Sequence, residues 1–125
     1  MQAPLAEHID TVRNAFNEAR HEPTVLHINS TRVLVCRHTD ASTLVIRVAI
    51  CDLPRLSGAR AALCEALLMA NTRLGGNDRL GIDPAERAAV IQRTVSNTLD
   101  AGALGNELCN VVDAADRLRQ GLGWD

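Results

Sequence analysis

Between Arg60 and Asn71 the chain reads Arg-Ala-Ala-Leu-Cys-Glu-Ala-Leu-Leu-Met-Ala-Asn, and Gly75-Gly76 follow after three residues. Ser57 upstream is a candidate N-cap and the glycines a stop, so the segment predicts a helix of about four turns. Ala59, Ala62, Leu63, Ala66, Leu67 and Ala70 fall on one side of it, and Ala61, Cys64, Leu68 and Met69 on the other. A helix lying on a surface would carry a polar stripe instead. A chain of 125 residues has little room to bury both faces of a helix by itself. The economical reading is that one face packs on the chain's own sheet and the other on a second copy. We therefore expect a homodimer with Ala59, Leu63, Ala66, Leu67 and Ala70 at its seam; a central core helix in a monomer is the alternative.

The core has to be aliphatic, because the chain holds one Phe, one Trp and no Tyr. Without rings there is no surface on which to stack bases. Every basic residue is Arg, so catalysis through a lysine is excluded. A net charge of -2 without a basic run argues against a nucleic-acid partner. The first residues lack a leader pattern and no stretch is long and apolar enough to span a bilayer, so a cytoplasmic protein without membrane insertion is expected. Cys36, Cys51, Cys64 and Cys109 form no Cys-x-x-Cys pair and are expected to act as small buried hydrophobes.

Leu5, Ile9, Val12 and Phe16 recur at helical spacing and predict an amphipathic helix over about 4–20, ended by His21-Glu22-Pro23. Three strand-like runs follow, over 24–28, 32–38 and 43–51, with turns at Asn29-Ser30 and 39–42. A four-residue hairpin loop at 39–42 would pair His38 with Thr43, Cys36 with Val45, Val35 with Ile46 and Val33 with Val48. Val33, Val35, Leu44, Ile46 and Val48 then share one face, assigned to the core. Leu34, Cys36, Val45, Arg47 and Ala49 share the other, which is too apolar for ordinary solvent and needs a cover. A second hairpin joins 77–83 to 88–94 through Pro84-Ala85-Glu86-Arg87, and a final helix runs from an Asp100 N-cap to about Gln120. Its stripe is Leu104, Leu108, Val111, Val112, Ala115 and Leu118. The order α-β-β-β-α-β-β-α predicts one α+β domain over 1–125, with helices packed on a twisted antiparallel sheet.

No catalytic or metal-binding pattern emerges. His8, His21, His27 and His38 stand at no zinc-ligand interval, and His27 beside Cys36 across a hairpin reads as a structural pair at most. Gly75-Gly76 follows a helix and precedes no Gly-Lys-Ser/Thr, so it is a helix stop and no phosphate cradle. Ser57 lacks a nucleophile elbow. Asp78, Asp83, Glu86, Asp113 and Asp116 are expected on solvated turns or a polar helix face. No enzyme, no cofactor and no metal are expected.

Leu53-Pro54 before the Ala/Leu-rich helix, and then Leu67-Leu68-Met69-Ala70-Asn71 leading through a Gly turn into a hairpin with an Asp-containing loop, carry a resemblance. Over roughly residues 4–122 this order resembles the class I type III secretion chaperones, the Tir-chaperone family. The resemblance implies a small cytoplasmic bacterial homodimer that binds the N-terminal segment of a secreted effector, keeps it partly unfolded and presents it for secretion. The segment would wrap around the dimer in extended form, docking apolar side chains and often adding a strand to a sheet edge. The implied client surface is Leu34, Cys36, Val45, Arg47 and Ala49, with Leu5 and Ile9 from the first helix. A contact with the secretion ATPase belongs to the same implication. The family is usually more acidic and more aromatic, so pockets for Leu or Val anchors are expected here. The alternative is a related-fold homodimeric cytosolic binding protein with no secretion role, and behind it a small enzyme.

Overall fold

The computed structural model describes residues 24–29, 31–37, 43–74, 76, 78–96 and 98–122. The helix expected over 4–20, with Leu5 and Ile9, and the loop 39–42 lie outside them, as does the His38–Thr43 pair. The described elements are β1 (Thr24–Ile28), β2 (Thr31–Arg37), β3 (Thr43–Asp52), a central helix (Ser57–Asn71), β4 (Asp78–Asp83), β5 (Ala88–Ser96) and a last helix (Ala101–Leu122). This is the expected α+β arrangement in the expected order.

The strands form one antiparallel sheet in the order β1-β2-β3-β5-β4. Val33 faces Val48, Val35 faces Ile46 and Cys36 faces Val45, as the loop length predicts. Asn29, at φ 51, supplies the left-handed residue that a two-residue hairpin between Ile28 and Thr31 requires. His27 sits opposite Arg32 and not beside Cys36. The pairing of β3 with β5 slips between Ala49 and Cys51. That bulge breaks the alternation, so Ile50 and Cys51 both turn toward the core.

One sheet face carries the core. Val33, Val35, Leu44, Ile46, Val48 and Ile91 pack there against Leu104, Leu108, Val111, Val112 and Ala115 of the last helix, all buried. Each such aliphatic contributes on the order of 1.5–3 kcal/mol when fully buried, which outweighs the weak helix propensity of Gly102 and Gly105. Asp100 caps this helix as expected, its Oδ1 accepting from the Ala103 N–H at 2.8 Å. Arg119 ties the helix down over the bulge, donating to the Ala49 carbonyl at 2.8 Å and the Ile50 carbonyl at 3.1 Å.

The central helix packs beside β4. Ser57 is its first residue and not its cap; the N-cap is Leu56, without a side-chain bond. At the other end Asn71 does what a neighbouring strand would do. Its Nδ2 donates to the Leu80 carbonyl at 3.0 Å and its Oδ1 accepts from the Leu80 N–H at 2.7 Å. Leu80 lies on the edge strand, and these are the backbone groups that β5 leaves open. Gly76, at φ 63, then takes the left-handed turn that brings the chain from helix to strand.

Candidate functional site

The two surfaces singled out in the sequence are the outer face of the sheet and the free face of the central helix. On the outer face, one cross-strand row runs Val25, Leu34, Arg47, Gln92, Arg79, and beside it His27 pairs with Arg32 and Ala49 with Val90, which pairs in turn with Gly81. Leu34 and Val45 are buried at 8% and 4% exposure although they belong to no part of the main core. Cys36 and Arg47 are half-buried and Ala49 is exposed. The expected patch therefore has a buried aliphatic floor with Cys36, Arg47 and Ala49 at its accessible level. Leu5 and Ile9 lie outside the described residues.

Arg47 is held in place. Its Nε donates to Gln92 Oε1 at 2.9 Å and its Nη1 to Asp83 Oδ2 at 3.2 Å. The other Asp83 oxygen accepts the N–H groups of Ala85 and Glu86, which shapes the β4–β5 turn. Arg32 pairs with Glu86 alongside. A hollow of about 300 Å³ opens over Gly81, lined by Arg47, Arg79, Val90 and Gln92. Glycine in a strand often marks the close approach of another backbone, a signal legible in the sequence. Burial pushes the Cys36 thiol up, outweighing nearby Arg47, so it is a poor nucleophile. Burial acts the same way on Cys51. All four cysteines are free and half-buried, so they are less hidden than expected.

Two carboxylates depart from expectation. Asp78 and Asp83 are buried at 9% and 7% exposure, not solvated. Arg47 serves Asp83, and Arg93 grips Asp78 with Nε at 2.5 Å and Nη2 at 2.8 Å while reaching Glu107 at 3.1 Å. The Asp78 hydrogen bond, assisted by Glu107, holds the Arg93 guanidinium above its already high range. Local sequence reads such residues as turn polars because their partners arrive from other strands. Among the described residues no group of three or more His, Cys, Asp or Glu could hold a metal ion.

On the central helix the two faces are distributed differently from the expected seam. Leu63 and Leu67, at 6% and 3% exposure, are in the protomer's own core, with Ala70 packed against it. Ala66 is half-buried and Ala59 exposed. On that side Leu63 and Leu67 pack with Leu80 and the sheet residues of the protomer's own core. The free side is Ala61, Ala62, Leu68 and Met69, with Leu68 at 69% and Met69 at 60% exposure. Leu56 at 76% and Ile82 at 38% extend the exposed aliphatic surface before the helix and on β4. No described helix is long and apolar enough to cross a membrane.

Comparison with known proteins agrees with this architecture. A chain in the structure of the HopA1-SchA chaperone-effector complex superposes with a TM-score of 0.59 at 12% identity, over 94% of this chain and 98% of that one. A chain in the heterodimeric ExoU-SpcU complex from the type III secretion system of Pseudomonas aeruginosa gives a TM-score of 0.58 at 19% identity, over 88% and 93%. At these identities the likeness is one of fold. No curated protein matches the chain significantly. Residues 3–119 match the Tir chaperone protein (CesT) family, which spans the sheet, the central helix and nearly all of the last helix. The chain belongs to the Tir chaperone protein (CesT) family.

Proposed function

We propose that this protein is a type III secretion chaperone of the bacterial cytoplasm. It binds the N-terminal chaperone-binding segment of a secreted effector, keeps it soluble and partly unfolded, and presents it for secretion without catalysis. The observation that carries the reading is the family match over residues 3–119. The structural neighbours support it, since both come from complexes, one a chaperone-effector complex and one from a type III secretion system. An extended client would lie over the outer sheet face, touching Cys36, Arg47 and Ala49 and seating an anchor in the hollow at Gly81. Leu34 and Val45 form the floor beneath. The working unit is a homodimer whose seam uses Ala61, Leu68 and Met69, the exposed apolar side of the central helix. A contact with the secretion ATPase completes the reading.

The test is a tagged pulldown from the native bacterium, with the bound protein identified and its protected segment mapped by proteolysis. A secreted protein held through about 50–100 N-terminal residues, as disordered clients wrap large surfaces, supports the proposal. A folded cytosolic partner instead would favour a dimer with no secretion role. Leu68→Asp/Met69→Asp should yield folded monomers, with Cys64 at the middle of the helix as a cross-linking reporter of the seam. Ala49→Asp should keep the dimer and lose the client. Val45 and Leu67 are unsuitable probes, because a charge at either buried site would unfold the protomer.

A further inference from the structure

A groove of about 420 Å³ lies between the C-terminal end of the central helix and the C-terminal half of the last helix. Its walls are aliphatic: Ala70 and Leu74 from one side, Ala114 and Leu118 from the other. Arg93 and Asp78 close its floor, and their charges are already matched with each other and with Glu107. Arg73 and Arg117 stand on opposite walls, both exposed. Among the described residues neither guanidinium has an ion-pair partner; Arg117 makes only a long bond of 3.4 Å to the Asp113 carbonyl within its own helix. The groove therefore combines an apolar body with two exposed arginines, one on each wall, that form no ion pair among the described residues.

We propose that this groove docks an acidic aliphatic peptide segment of a partner protein, an aliphatic side chain between the walls and an adjacent carboxylate between Arg73 and Arg117. The volume lies within the roughly 300–1,000 Å³ common for ligand sites. Charge complementarity selects the occupant. A carboxylate accepts paired, charge-assisted hydrogen bonds from a guanidinium, stronger than those a neutral side chain can accept. The site is on the helical side of the sheet, apart from the outer face, so it operates whether or not the secretion reading holds.

The probe is a fluorescein-labelled peptide of four Leu-Glu-Ala repeats, titrated into the full chain by anisotropy, with Leu-Gln-Ala and Ser-Glu-Ala peptides beside it. The acidic aliphatic peptide should bind, and Arg73→Glu/Arg117→Glu should weaken it about tenfold or more, as should the Gln peptide. Both arginines are exposed, so the double variant should keep its melting temperature; Arg73→Gln/Arg117→Gln serves if charge reversal does not. Arg55→Glu, an exposed arginine that does not line the groove, should change binding little. Methyl shifts on titration should centre on Leu74 and Leu118. Failure of the acidic aliphatic peptide to bind would overturn the proposal, as would equal binding of the Ser peptide, indifference to both arginine variants, or shifts elsewhere. Shifts at Leu74 and Leu118 that grow with protein concentration alone would place a second copy in the groove, and would also overturn it.

Discussion

Replacing Asn71 with Ala removes the joint between the central helix and the edge strand, and the structure allows its cost to be worked out. Two hydrogen bonds to the Leu80 backbone disappear, at 3.0 and 2.7 Å. Each is worth about 0.5–1.5 kcal/mol net, and the upper end applies where the partner is left buried and unsatisfied. Leu80 is 7% exposed, so its N–H and C=O have little water to turn to. Against this, Ala is the better helix former by about 0.5 kcal/mol. The expected net loss is about 1.5–2.5 kcal/mol, or a melting temperature lower by about 6–10 °C for a domain of this size. Urea denaturation followed by circular dichroism, at fixed protomer concentration, measures the first quantity. Hydrogen exchange at the Leu80 amide reports the site itself, which should lose protection. Asn71→Asp sharpens the test. It keeps an acceptor for the Leu80 N–H but turns an oxygen toward the Leu80 carbonyl, so at neutral pH it should be no more stable than Asn71→Ala. It should recover partly in acid, where the protonated carboxyl can donate. A change below about 0.5 kcal/mol in Asn71→Ala, or unaltered Leu80 protection, would refute the reasoning.

Arg93→Ala leaves Asp78 and Glu107 without their cation and should cost about 3–5 kcal/mol, as breaking a buried pair does, read from the same urea curves. Arg119→Ala exposes the carbonyls of the β3 bulge and should cost about 1.5–3 kcal/mol, with Arg119→Lys restoring only part because a single ammonium cannot serve both oxygens in the fork geometry. The chain has neither Lys nor Tyr, so above pH 8.5 its side-chain titration belongs to the thiols. Cys36 and Cys51 are raised by burial in the folded state, so their contribution is fully present below the unfolded thiol pKa and is lost as pH rises through the folded one. Stability should fall as pH rises above the ordinary thiol range, and Cys36→Ala/Cys51→Ala should flatten that slope; an equal slope in the double variant would contradict the assignment.

Much of the architecture was written in local pattern. The 39–42 loop length and the β-branched alternation set the register of β2 on β3, and the stripe from Leu104 to Ala115 named the inner face of the last helix in advance. Asp100 announced its own cap. These features depend on neighbours within a few residues, or on a periodicity that repeats over several turns. The central helix shows where that reasoning stops. Its apolar circumference established that both faces need company, but composition is nearly the same on either side. Only packing on the sheet decided that Leu63 and Leu67 turn inward and that Leu68 and Met69 remain free. The same holds for the outer sheet face, where Leu34 and Val45 are already buried. It holds also for Asp78, Asp83 and the arginines that answer them, whose partners arrive from strands 15 and 36 residues away. The sequence by itself determined the described elements, the face that holds the core and the family. The tertiary structure alone decided which apolar and charged groups are left over for a partner, because that depends on contacts between segments distant along the chain.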